Sequence, residues 1–192
     1  MTRPPRRGWF GATALLVMFA ALAAIPTLAQ PNDTAEPAAV RTKLAATEDA
    51  SVSARRPNAN SGNKTLLATK VDPEEVSFIK FEVPAGNGEI ASALLKMKVK
   101  TRDKARVTVS AAGNGWNEMS VTHRTAPPVH QTLVTVDIPS GQPRWVSVDV
   151  SSLVTVPGVY SVAVQTQSNK RPNYYSSETS SGPASRATCL AR

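Results

Sequence analysis

The sequence predicts an all-β domain, an antiparallel β-sandwich of the jelly-roll kind. Charged residues are only 19% of the 192, below the usual quarter, and Ser, Thr, Val and Ala stand in their place, a composition of extracellular β proteins. Short alternating or β-branched runs recur along the chain. Gly, Pro and Asn clusters separate them, and no stretch carries the period of an amphipathic helix.

In order, the chain opens with Arg3, Arg6 and Arg7 ahead of an apolar stretch, 8–28, interrupted by Pro26. This is the pattern of a secretory signal, with Thr27 and Ala29 as the small residues before a cut, so residues 1–29 are expected to be removed. An uncleaved membrane anchor is the alternative, against which Pro26 counts because it breaks a spanning helix. Loss of the three arginines lowers the formal charge from +8 to +5, a basic excess that favours anionic partners. A single cysteine, Cys189, excludes an internal disulfide and reads as a small buried residue of the last strand.

Residues 30–43, "QPNDTAEPAAVRTK", read as a Pro- and Ala-rich linker, and the domain as 44–192. Within it "ASVSA", "TLLATK", "VSFIKFEV", "IASALLKMKVKT", "RVTVSAA", "QTLVTVDI", "RWVSVDVS", "GVYSVAVQTQ", "NYYSSE" and "RATCLA" read as about ten strands. The breaks "RRPNANSGN", "VPAGNGE", "AAGNGWN" and "IPSGQP" reverse the chain, with Gly supplying positive φ. By the two-residue period Ile79, Phe81 and Val83 share one face, as do Val146, Val148 and Val150, and these are the expected core.

In "LLKMKVKTR", Leu95, Met97 and Val99 fall on one face and Lys96, Lys98, Lys100 and Arg102 on the other, about 7 Å apart along the strand. Four cations in a row suit a linear polyanion. Lys104 and Arg106 are expected to widen the stripe into a patch. A solvated face that keeps an edge from aggregating is the competing reading. Nucleic acid suits the stripe less well, because aromatics do not interleave with the cations.

The stretch "GWNEMSVTHR" brings Trp116, Glu118 and His123 together in sequence. Neither His123 nor His130 stands in a nucleophile, zinc or paired-carboxylate motif, so no enzyme is read here. Two uses remain for Trp116: an exposed ring stacking on a sugar, or a cover over the sandwich with Glu118 satisfying loop amides. Seven aromatics remain after residue 29, of which Trp116, Trp145, Tyr174 and Tyr175 are usable for stacking.

The ordered series "EDASVSARRPNANSGNKTLLAT", "SFIKFEVP", "IASALLKMKV", "GWNEMSVTHRTAPP", "WVSVDVSSLV", "GVYSVAVQ", "YYSSE" and "SRATCL" resembles the DNRLRE domain, carbohydrate-binding module family 96, over about residues 46–190. The chain departs from the family pattern at His123, where a Trp is usual, and at Ser185, Arg186 and Ala187, where Asn-Arg-Pro is usual. The resemblance implies a secreted or cell-surface β-sandwich that binds glycan, often beside a catalytic domain. It also implies a structural Ca²⁺ held by Asp49, Asp149 and Glu178, with Asp49 and Glu178 as the pair expected to converge; the competing reading of each is a turn or strand-end carboxylate that accepts backbone hydrogen bonds. The expectation is therefore a secreted, non-catalytic module that binds an acidic polysaccharide through Lys96, Lys98, Lys100, Arg102 and Trp116. Its rival is a structural or adhesive module attached to the cell envelope, whose cations serve solubility.

Overall fold

The computed structural model describes residues 39–85, 89–141 and 143–190. The segment read as a signal, most of the expected linker and the centre of the "VPAGNGE" turn lie outside them. The described residues form eleven strands and no helix. One sheet, sheet A, contains β1 (Ala39–Ala45), β3 (Leu66–Ala68), β5 (Glu89–Lys100), β8 (Arg144–Asp149), β10 (Asn173–Tyr175) and β11 (Ala184–Leu190). The other, sheet B, has the order β2 (Glu48–Ser53), β4 (Glu75–Val83), β9 (Gly158–Thr166), β6 (Ala105–Ala112) and β7 (Val129–Ile138). Every pairing in both sheets is antiparallel.

β5 organises sheet A. Along one edge it pairs with β8 over residues 94–99. Along the other it pairs first with β11 and then, end to end, with β10 at Val99 and Lys100. The strand is long because its alternation runs unbroken to Lys100: Leu95 and Met97 are 0% exposed and Val99 1%. They meet Ile79, Phe81, Val83, Val107, Val162 and Val164 from sheet B in the main core. Val148 and Val150 join them and Val146 packs at the margin, as the period predicts.

Two features differ from the sequence expectation. β1 begins at Ala39, so residues 39–43 are strand, not linker. Their partner β11 lies more than a hundred residues away in sequence, and a pairing of that kind leaves no local signal. β6 belongs to the opposite sheet from β5, so the 101–104 turn is an arch between sheets. Arg106 therefore lies on sheet B, paired with Asp137 at 3.8 Å, and does not widen a stripe on β5. Cys189 stands in β11 as expected, its side chain outside what is described.

Of the described turn glycines, Gly141 in "IPSGQP" bears out the expected positive φ, at 126°, whereas Gly62, Gly113 and Gly115 do not take one. Leu95→Ala, at the centre of the shared strand, is expected to cost about 2–5 kcal/mol, read as a lower urea midpoint with an unchanged m-value.

Candidate functional site

The two outer faces of the sandwich differ. On sheet B the strands carry apolar side chains outward as well as inward: Ala50, Val52, Val76, Phe78 and Ala163 form a second buried cluster, completed by Trp116 and Val121. Trp116 and Val121 come from residues 113–128, the connection between β6 and β7, which lies over this face. Trp116 is 8% exposed. Its ring packs on Phe78 at 6.0 Å between centroids, its Nε1–H donates to Ser161 Oγ at 3.0 Å, and Lys80 Nζ sits 4.6 Å from its centroid. Lys80 also donates to Glu48 Oε2 at 2.8 Å and to the Trp116 carbonyl, so the buried ammonium has an anion, a carbonyl and a π face around it.

A second loop holds the first. Asn60 Nδ2 donates to the carbonyls of Glu118 at 2.7 Å and Val121 at 2.8 Å. Gly62 is needed for this approach, since a Cβ there would lie 2.2 Å from the Glu118 carbonyl oxygen. Glu118 Oε1 accepts the Asp49 N–H at 3.0 Å, the amide-satisfying role expected of it. Trp116 is thus a staple between loop and sheet, and its expected role as an exposed ligand-stacking ring is corrected: burial against Phe78 leaves no free ring face. His123 faces Glu74 at 3.3 Å on the same side of the molecule, and His130 is exposed.

Asp49 is 0% exposed on β2. Its Oδ2 accepts the Ser177 N–H at 2.6 Å. Burial pushes its carboxyl up to about 6, opposed by the Ser177 hydrogen bonds and reinforced by Glu118 and Glu178. Burial likewise raises Glu118. Glu178 is exposed and close enough to act on both as a like charge. Asp149 is elsewhere, correcting its expected place beside Asp49. It ends β8 on sheet A, where its Oδ1 accepts the Ser151 N–H at 2.9 Å, and hydrogen bonds from Ser151 hold its carboxyl below the usual range.

On sheet A the outer face is different. Because Leu95, Met97 and Val99 point into the core, Lys96, Lys98 and Lys100 point out, half-buried to exposed. Lys98 lies between two aromatic rings. Across one edge it pairs in register with Trp145, which is 49% exposed, and toward the other its Nζ lies 5.2 Å from the centroid of Tyr175. The same Nζ donates to Ser181 Oγ at 3.0 Å. Lys96 and Lys100 form no ion pair with a described residue. Arg102 is corrected off the strand into the 101–104 turn, where it lines a groove with Lys100, Asp103, Arg171 and Asn173. The sequence contained the signal for Trp145: with Val146, Val148 and Val150 inward, its ring has to face out.

Residues 40–187 match the family described as carbohydrate-binding module family 96. The chain belongs to that family. Carbohydrate binding is therefore its function at the level of class. No curated protein matches. Among solved structures the module is similar to the C-terminal CBM6 of LamC, a marine laminarinase from Zobellia galactanivorans, at 12% identity and TM-score 0.36, over 77% of this chain and 99% of that one. It is also similar to the CBM22-1–GH10 modules of Clostridium thermocellum xylanase 10B, complexed with xylohexaose, at 9% identity and TM-score 0.37, over 75% of this chain and 27% of that one. The bacteriophage CBA120 tailspike protein 4 enzymatically active domain matches at 10% identity and TM-score 0.30, over 80% of this chain and 19% of that one.

The two tryptophans should part in denaturation. Trp116→Ala is expected to cost about 3–5 kcal/mol in urea unfolding, and Trp145→Ala less than about 1 kcal/mol.

Proposed function

We propose that the module binds an acidic polysaccharide on the outer face of sheet A, through Lys96, Lys98 and Lys100 with Trp145 as the stacking ring. The observation that carries this reading is the row of three outward lysines on β5 with exposed Trp145 directly across from the middle one. Residues two apart on a strand are about 7 Å apart, so the row offers repeated cationic contacts to a linear chain of carboxylates. An aromatic face takes the apolar side of a sugar ring while the ammonium groups take its charge.

Sheet B supports the assignment by contrast. Its outer face is covered by residues 113–128 and its Trp is spent on packing, whereas sheet A's face carries cations beside an exposed ring. Arg102 and Lys100, at the groove beyond the strand end, extend the track. The signal reading of residues 1–29 puts this encounter outside the cell, where uronate-rich polysaccharides are found, and the module's role there is to hold a glycan without transforming it.

Affinity electrophoresis through gels containing alginate, pectin, neutral xylan or no polysaccharide tests the proposal. Retardation is expected in the uronate gels and should weaken with salt, since exposed charge contacts are screened within about 8 Å at physiological ionic strength. Lys98→Glu and Trp145→Ala should each weaken retention about tenfold, while a folded Trp116→Phe retains it. Retardation by xylan alone would contradict the charge-based reading, and none in any gel would favour a structural module.

A further inference from the structure

We infer that the cavity between β2, the 55–65 loop and β3 is a second glycan-binding site, which takes one acidic sugar unit of the chain lying on β5. The assignment rests on the acidic polysaccharide proposed above for its class of ligand, and it adds where that chain goes beyond the β5 row. β2 and β3 are end strands of their sheets, and the cavity, about 230 Å³, opens where these two edges meet. It is smaller than the roughly 300–1,000 Å³ usual for a drug-sized ligand, so it suits one sugar ring and not a run of them.

The wall is cationic. Arg56, Lys64 and Arg171 line it with a single carboxylate, Glu75. Glu75 is already taken, because Arg171 donates to one of its oxygens from Nε and to the other from Nη2 at 3.1 Å. Arg56 and Lys64 are exposed and form no ion pair with a described residue. Ser53, Ser61 and Thr65 line the same cavity, and their hydroxyls have no hydrogen-bond partner among the described residues. Two uncommitted cations and three uncommitted hydroxyls, over an apolar floor of Val52, Leu66 and Ala68, suit a uronate. The cations take its carboxylate and the hydroxyls meet those of its ring.

The site is formed in advance. Asn60, whose amide holds the Glu118 and Val121 carbonyls, also accepts the Gly62 N–H at 3.1 Å, which fixes the loop between Arg56 and Lys64. Arg56 N–H donates to the Ser53 carbonyl at 3.0 Å and Lys64 N–H to that of Ser61 at 3.2 Å. At the floor, Ser51 Oγ accepts the Ala68 N–H at 2.8 Å and Ser77 Oγ donates to the Ala68 carbonyl at 2.9 Å, so β3 is stitched to sheet B. A receptor already ordered loses little freedom on binding.

The cavity also adjoins the β5 track. Leu66 and Arg171 line both it and the groove that contains Lys100 and Arg102. At the opposite end of the row Leu94 lies in register with Asp149, an exposed carboxylate whose proton affinity the Ser151 hydrogen bonds lower. Among the described side chains the cations thus run one way, from Lys96 past Lys100 and Arg102 to Arg171, Lys64 and Arg56. A polyanion laid on β5 follows them around the side of the sandwich.

The test is isothermal titration calorimetry of the full chain with uronate tetrasaccharides and octasaccharides prepared from alginate and from pectin. The octasaccharide is expected to bind the parent about tenfold more tightly than the tetrasaccharide. Arg56→Gln combined with Lys64→Gln should remove that advantage and leave tetrasaccharide affinity unchanged, whereas Lys98→Glu should weaken both. Neither side chain has a partner to lose among the described residues, so the double variant should keep the parent's urea midpoint. A length advantage that survives in the double variant, or a parent that binds both lengths alike, would overturn the second site; if Lys98→Glu still weakens binding, the β5 site stands. No uronate binding by the parent would overturn both.

Discussion

Successive side chains of a strand must take opposite faces, and in β5 this one constraint sets both the core and the candidate site. Burying Leu95, Met97 and Val99 against sheet B leaves Lys96, Lys98 and Lys100 no place but the outside. A slip of one residue would put three ammonium groups between the sheets, at a cost no neighbouring anion offsets. The hydrophobic effect therefore fixes the register, and the register aligns the cations. β8 follows the same rule: its valines enter the core and Trp145 is delivered beside Lys98.

The molecule spends its two domain tryptophans differently. Trp116 lies over Phe78 with its N–H on Ser161, and the loop that carries it closes the outer face of sheet B. Lys80, enclosed beneath that ring and paired with Glu48 at 2.8 Å, turns a lysine on an apolar face into part of the fastening. Among the described residues no comparable loop covers Lys98, which is half-buried beside Tyr175 and Ser181. The same residue types are thus packed on the outer face of sheet B and exposed on that of sheet A.

What was legible in the sequence follows the period of two. The β-sandwich class, the inward faces of β4, β5 and β8, and the outward lysines all come from local alternation, and the family resemblance agrees with the match over residues 40–187. Features set by distant contacts were not legible. Trp116 sits in a loop, where no period says which way a ring turns, and its place depends on Phe78 from a strand buried on both faces. Arg106 follows β5 closely in sequence, yet the 101–104 arch puts it on the other sheet. Asp49 and Ser177 meet across 128 residues, which spacing could not show, and Asp149 lies on the opposite sheet from Asp49.

The central claim is that the ligand lies along β5 on the outer face of sheet A. Lysine acetylation footprinting by mass spectrometry, with and without a uronate oligosaccharide, tests it most directly. Protection of Lys96, Lys98 and Lys100, with Lys70 labelled equally in both states, is the predicted result. Unchanged labelling along β5 while the oligosaccharide is bound would contradict it.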